Sequence, residues 1–207
     1  MLETMNLPEH IDKAIDHYIP RLGNWLDTHR AKEMAELIIQ IKPKTIVEIG
    51  SFKGQSTVTM GFALRENNDG GKLYAIDPWK VEYAAEGDSS AEDIDWWSNK
   101  IDLNIIHQDC MREIWSHHLD RWVVVIRAAS QNCYELFHDI DLLYIDGCHS
   151  EVASTRDVEN YVPKVKSGGY IIMDDCDWPT TKKAVNMVEE ACKLDRDYTH
   201  YKYWIKK

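Results

Sequence analysis

The chain has 207 residues, 44% hydrophobic and 29% charged, with a formal net charge of -11. That length suits a single domain with a substantial core, and no apolar run approaches the roughly eighteen residues that a membrane span requires. The acidic balance, with Lys and Arg scattered along the chain, argues against a phosphate backbone as partner, so neither nucleic acid nor membrane is expected.

The opening stretch MLETMNLPEHIDKAID carries acids early and lacks both a basic segment and a continuous apolar one. It does not read as a secretory signal, and a cytoplasmic location follows by default. Cys110, Cys133, Cys148, Cys176 and Cys192 are odd in number and contain no C-x-x-C pair, so they read as reduced thiols. Helical spacing places Ile11, Ala14, Ile15, Tyr18 and Ile19 on one face, then Met34, Leu37, Ile38 and Ile41 on another, with Pro20 to Gly23 between. We read residues 1–40 as N-terminal helices packing on the core and residues 41–207 as the ligand-binding body of one domain.

From Lys44 the pattern changes to short apolar strings, TIVEIG, KLYAID, WVVVIRA, DLLYID and GYIIMDD, separated by helical segments. This alternation predicts an α/β, Rossmann-like, doubly wound and mostly parallel sheet with helices on both faces. Asp77, Asp146 and Asp174 close three of the strings, and the carboxyl ends of parallel strands line the ligand crevice in such folds. Between the second and third strings lies an acidic segment flanked by Trp79, Trp96 and Trp97. It reads either as a lid with aromatic contacts or as a solvated loop running into a helix. The tail YTHYKYWIKK is strand-like and closes the sheet.

The turn after the first string, Glu48-Ile49-Gly50-Ser51-Phe52-Lys53-Gly54, lacks the G-x-G-x-x-G spacing of dinucleotide folds and the Lys-Ser/Thr of a P-loop. A pyrophosphate cradle is disfavoured, and a nicotinamide-dependent oxidoreductase with it. One glycine permits the turn and the other the close approach of a ligand, while Glu48 is suited to accept from a cationic amine. Asp77, at the tip of the next strand, is placed to accept both hydroxyls of a ribose.

The segments VEIGSFKGQST, LYAIDPW, AASQ, DLLYIDGCHS and KSGGYIIMDD follow in the order found in class I S-adenosylmethionine-dependent methyltransferases. Over roughly residues 40 to 178 the chain most resembles the metal-dependent O-methyltransferases of the catechol and caffeoyl-CoA type and related small bacterial enzymes. The resemblance implies S-adenosyl-L-methionine as cofactor, with Glu48, Gly50, Ser51, Gly54 and Ser56 around its methionine part, Asp77 on the ribose, Ser130 and Gln131 beside the adenine, and Asp146 nearby. It also implies that Asp146, Asp174 and Asp175 hold a metal ion. Three hard carboxylates suit Mg²⁺ or another hard divalent cation. Two bare carboxylates about 4 Å apart repel by roughly 4 kcal/mol at an effective dielectric of about 20, which a cation or a shared proton must relieve. The other reading is that Asp146 serves the cofactor or a loop amide while Asp174 and Asp175 cap the next helix.

His149 stands where the catechol enzymes carry a basic lysine, and its ordinary pKa near 6.5 suits a general base; Asp146 is placed beside it as a catalytic residue, and Asp177 is a second candidate base. Two features depart from the family: Cys148 follows the IDG triplet where an acid is common, and only Tyr198 to Ile205 reads as a closing strand where the fold usually ends in an antiparallel pair. The expected partner is a small-molecule acceptor with a hydroxyl, and an isologous homodimer is the commonest assembly for such a chain. The alternative is a catalytically inactive, regulatory cofactor-binding protein of the same fold.

Overall fold

The computed structural model describes residues 7–23, 25–87 and 90–207. Residues 1–6 and 24 of the N-terminal unit, and Asp88 and Ser89 of the acidic segment, lie outside the described residues. Helix α1 (Glu9–Leu22) buries Ile11, Ile15 and Ile19, one residue per turn on a single stripe. It runs on through Pro20, past the expected break. A proline in the last turn removes one intrahelical bond, which the burial of Ile15 and Ile19 outweighs at about 1.5–3 kcal/mol each. Helix α2 (Thr28–Ile41) starts at Asp27, whose side chain accepts from the Arg30 backbone N–H, and ends at Lys42 in the left-handed region.

Strand β1 (Thr45–Ile49), helix α3 (Gln55–Asn67) and strand β2 (Lys72–Ile76) follow as a parallel crossover unit. The acidic segment forms two short helices, α4 (Val81–Ala84) and α5 (Ala91–Asp95), and a wide turn at Trp96–Lys100. Then come α6 (Leu103–Ser116), β3 (Val123–Ile126), β4 (Ile140–Ile145), α7 (Glu151–Tyr161), β5 (Val165–Met173), α8 (Lys182–Ala191), β6 (Cys192–Asp197) and β7 (Lys202–Lys206).

The seven strands lie in the order β3-β2-β1-β4-β5-β7-β6, with β1 to β5 parallel and β7 antiparallel to both neighbours. Side chains alternate between the two faces, as a period of two requires. Ile46, Leu142, Tyr144, Ile172 and Tyr203 pack with Ile11, Met34 and Val58 on one side. Val47, Leu143, Ile145, Ile171 and Trp204 pack with Val158 and Val188 on the other. The N-terminal helices therefore share one core with the sheet.

The end of the sheet is not trimmed, contrary to expectation. The missing strand is β6, CKLDRD, which exposes Lys193, Leu194 and Asp195. An edge strand that turns charges to solvent resists pairing with other chains, and the same charges hide it from a search for apolar alternation. Tyr198 to Tyr201, expected as strand, forms the turn between β6 and β7.

Candidate functional site

Strand β1 has β2 on one side and β4 on the other, so the chain winds in opposite directions from it. The carboxyl edge at such a switch point opens a crevice. There Gly50 donates to the Ile76 carbonyl at 2.9 Å, and Asp146 donates to the Ile49 carbonyl at 2.9 Å. Gly50 has φ +90, and a Cβ on it would lie 1.9 Å from the Asp146 carbonyl oxygen. The glycine is required by the approach of the β4 backbone. Gly54, at φ +86, opens α3 with its missing side chain facing Cys110 Sγ. Both glycines thus answer to the chain's own packing, and Gly50 also lines both the crevice and a second recess.

Asp77 follows β2 and accepts from the backbone N–H of Phe52 at 3.0 Å and of Trp79 at 2.7 Å. Phe52 and Trp79 both have positive φ, at 45 and 47, conformations that bulky residues rarely hold without such support. Trp79 Nε1 closes the arrangement by donating to the Phe52 carbonyl. Burial raises the Asp77 pKa to about 6, against these amide bonds, and each carboxylate oxygen keeps further acceptor capacity.

A crevice of about 710 Å³, including its open mouth, brings Gly50, Asp77, Ser130, Gln131 and Asp146 together. Ser130 donates to Asp157 at 2.5 Å, so its hydroxyl is held by α7. Tyr83, Glu86 and Trp97 of the acidic segment wall the outer side. Glu86 is fastened to α7 by a bidentate pair with Arg156 at 2.8 and 2.6 Å. The segment is therefore a packed wall of the crevice.

Glu48 sits behind the crevice, fully buried, accepting from the hydroxyls of Ser51, Ser56 and Thr57. Burial pushes its pKa up to about 7 despite those donors. It lines neither recess, and its carboxylate holds the hydroxyls of Ser51 and Ser56. Ser51 and Ser56 face a second, smaller recess with Trp25, Phe52, Tyr144 and Asp146. Asp146 and Phe52 line both spaces.

Beyond Asp146 lies a cluster of charges that α2 enters from below. Arg30, 3% exposed, donates to Asp174 Oδ2 at 2.6 Å and to the Tyr144 hydroxyl at 2.9 Å. Tyr144 in turn donates to Asp146 Oδ2 at 2.8 Å. Asp174 Oδ1 accepts from the Asp175 N–H at 2.9 Å, so both its oxygens are engaged. Asp175, at φ 49, faces His149 and His200, with nitrogen to oxygen separations of 2.8 and 3.1 Å. His200 reaches Asp177 with its other nitrogen at 2.8 Å.

Among the described residues, the acidic and imidazole atoms that come within 4.8 Å of one another form two groups, Asp146–His149–Asp175 and Asp174–Asp175–His200. The three aspartates expected from the sequence do not form one. The first group fits a cation: His149 Nε2 is buried and 2.8 Å from Asp175 and 3.6 Å from Asp146, yet makes no hydrogen bond, its N–H direction missing both. Burial lowers the His149 pKa, but the two carboxylates outweigh it and raise the value to about 10.

A family model described as a methyltransferase domain matches residues 47–176. The chain belongs to this methyltransferase-domain family and carries the class I S-adenosylmethionine-dependent fold. An uncharacterized protein of Acanthamoeba polyphaga mimivirus is 28% identical over 163 residues, 77% of this chain and 65% of that protein, so the match spans just under two thirds of the relative's length. Among solved structures, the Podospora anserina methyltransferase PaMTH1, bound to S-adenosylhomocysteine, aligns at TM-score 0.65 with 13% identity, covering 97% of this chain and 89% of that one. The Bacillus cereus O-methyltransferase, in complex with S-adenosylhomocysteine, gives 0.62 with 12% identity and coverage of 98% and 94%. TomG of Streptomyces achromogenes, an O-methyltransferase in complex with S-adenosylmethionine, gives 0.63 with 12% identity and coverage of 99% and 92%. No helix among the described residues is long and apolar enough to cross a membrane.

Arg30, Tyr144 and His200 escaped the sequence reading. Arg30 did leave a signal, since it falls on the buried face of α2 with Met34, Leu37 and Ile38. A charge on an apolar stripe demands a buried partner.

Proposed function

We propose that the chain is an S-adenosylmethionine-dependent O-methyltransferase acting on a hydroxyl of a small molecule. The observation that carries this is the position of Asp146 on the common wall of the larger crevice and the smaller recess. The cofactor takes the crevice, with its ribose on Asp77 and its adenine beside Ser130 and Gln131. The acceptor takes the recess between Trp25, Phe52 and Tyr144.

A sulfonium is already an activated electrophile, so the protein has mainly to align acceptor oxygen, methyl carbon and sulfur and to keep water out. Trp25, Phe52 and Trp96, whose ring centroids lie 5.3 to 6.2 Å apart, supply an aromatic wall. Asp146, oriented by Tyr144, directs the acceptor hydroxyl towards the methyl group. As the new O–C bond forms and the methyl C–S bond breaks, its electron pair going to sulfur to give S-adenosylhomocysteine, the hydroxyl proton leaves through the acidic cluster, where His200 links buried Asp175 to half-exposed Asp177. A divalent cation held by this cluster would supply Lewis-acid chemistry, lowering the pKa of the acceptor hydroxyl.

Thermal unfolding tests the reading. S-adenosylhomocysteine at a hundredfold its Kd stabilises by about 2.7 kcal/mol, a rise of roughly 5–11 °C for a domain of this size, and NAD gives none. Absence of a shift with S-adenosylhomocysteine would remove the methyltransferase reading.

A further inference from the structure

Within the carboxylate cluster, the oxygens and nitrogens are not equally free. Asp174 is paired through one oxygen with the buried Arg30 cation and accepts from the Asp175 N–H with the other. Asp146 Oδ2 is committed to Tyr144, which leaves Oδ1 facing His149 Nε2 at 3.6 Å. His149 Nε2 is buried without a hydrogen-bond partner, although Asp175 Oδ2 is only 2.8 Å away. Two ligand atoms about 3 Å apart with no hydrogen bond between them are what two bonds of about 2.1 Å to a shared ion at a near right angle produce.

We propose that a divalent cation binds between Asp146, His149 and Asp175, with Asp174 withheld from it by Arg30. The ligand set is then one imidazole and two carboxylates in place of three carboxylates. Imidazole favours first-row transition ions over Mg²⁺, so the site takes Mn²⁺ more tightly than Mg²⁺, and Zn²⁺ or Co²⁺ more tightly still. Arg30 neutralises the charge that Asp174 would otherwise bring to the ion, and α2 thereby sets the metal preference of residues more than a hundred positions away. The inference rests on the proposed reading of this site, but its test needs no methyl acceptor.

The experiment uses the full chain, stripped with chelator, and follows Mn²⁺ binding by the loss of its free-ion electron paramagnetic resonance signal, with Mg²⁺ and Zn²⁺ as competitors. Thermal unfolding with S-adenosylhomocysteine runs on every sample. The wild-type chain is expected to bind Mn²⁺ saturably and to lose it to Zn²⁺ but not to equal Mg²⁺. His149→Ala is expected to weaken Mn²⁺ at least about tenfold while keeping the S-adenosylhomocysteine shift. The double variant Arg30→Met/Asp174→Asn, which removes both members of the buried pair so that neither charge is stranded, is expected to keep Mn²⁺ within about threefold.

Loss of Mn²⁺ in the double variant with retention in His149→Ala would overturn the assignment in favour of the three aspartates. No Mn²⁺ binding by a wild-type chain that still responds to S-adenosylhomocysteine would overturn the cation site and leave the cofactor reading standing. If neither ligand binds, the failure lies with the proposed function.

Discussion

Glu48 is the residue whose setting differs most from its appearance in the sequence. A carboxylate before a glycine turn reads as a ligand group, yet the side chain is sealed beneath Ser51, Ser56 and Thr57. Its proton balance makes a prediction. The unfolded carboxyl ionises near 4.5, while the folded one holds its proton to about 7 because burial penalises the charge. Between those values the native state binds more protons than the unfolded one, so stability falls as pH rises through the window. The full difference is about 3 kcal/mol. Chemical unfolding of the wild-type chain and of Glu48→Gln at pH 4.5, 6 and 7 should show the wild type losing that advantage relative to the variant. Parallel curves would show that Glu48 is ionised in the folded chain throughout. The identity of Asp77 as a crevice residue was legible, because strand ends are marked by where the apolar string stops. The hydroxyl collar on Glu48 was not, since it depends on the first turn of α3 folding back over β1.

At the scale of elements, the strap from Trp79 to Lys100 was open between a lid and a solvated acidic loop running into a helix that packs its tryptophans. Its described acids are mostly exposed, while Trp79 is 2% exposed and Trp96 and Trp97 pack on Phe52. The strap is fastened to α7 through the Glu86–Arg156 pair, each side chain 27% exposed. Partial exposure limits such a pair to about 1 kcal/mol. Arg156→Met is therefore expected to weaken S-adenosylhomocysteine binding by about fivefold, measured by isothermal titration, with little change in the unfolding midpoint of the free chain. An unchanged Kd would mean that the strap holds the crevice closed without this fastening. The β6–β7 hairpin teaches the complementary lesson. Its buried member, with Tyr203 and Trp204, was visible as a strand, whereas charged β6 gains its place only by pairing with it.

For the whole molecule, the order of strands and helices was readable because each crossover alternates a short β-branched string with an amphipathic stretch. Helices α1 and α2, read from the sequence as packing on the core, share the core of the sheet. Ile11, Ile15, Ile19, Met34, Leu37 and Ile38 are all at most 1% exposed, and Met34 packs in one cluster with Ile46 and Tyr144. Removing six such side chains forfeits roughly 9–18 kcal/mol of burial, comparable to the entire stability of an ordinary domain. A chain starting at residue 41 is accordingly expected to show no cooperative unfolding transition by circular dichroism. A sharp melt in that fragment would establish the sheet as an independent unit and the helices as an attachment.

The recess beside Asp146 takes Trp25 and Leu26 from a part of the chain that precedes the family match at residues 47–176, and the same part sends Arg30 to Asp174. Under the proposed function this divides the labour: the family-matched body would serve the methyl donor, and the leading helices the acceptor and the ion. Exchange of residues 1–46 between relatives would then be a transplant of selectivity, leaving the donor pocket as it stands.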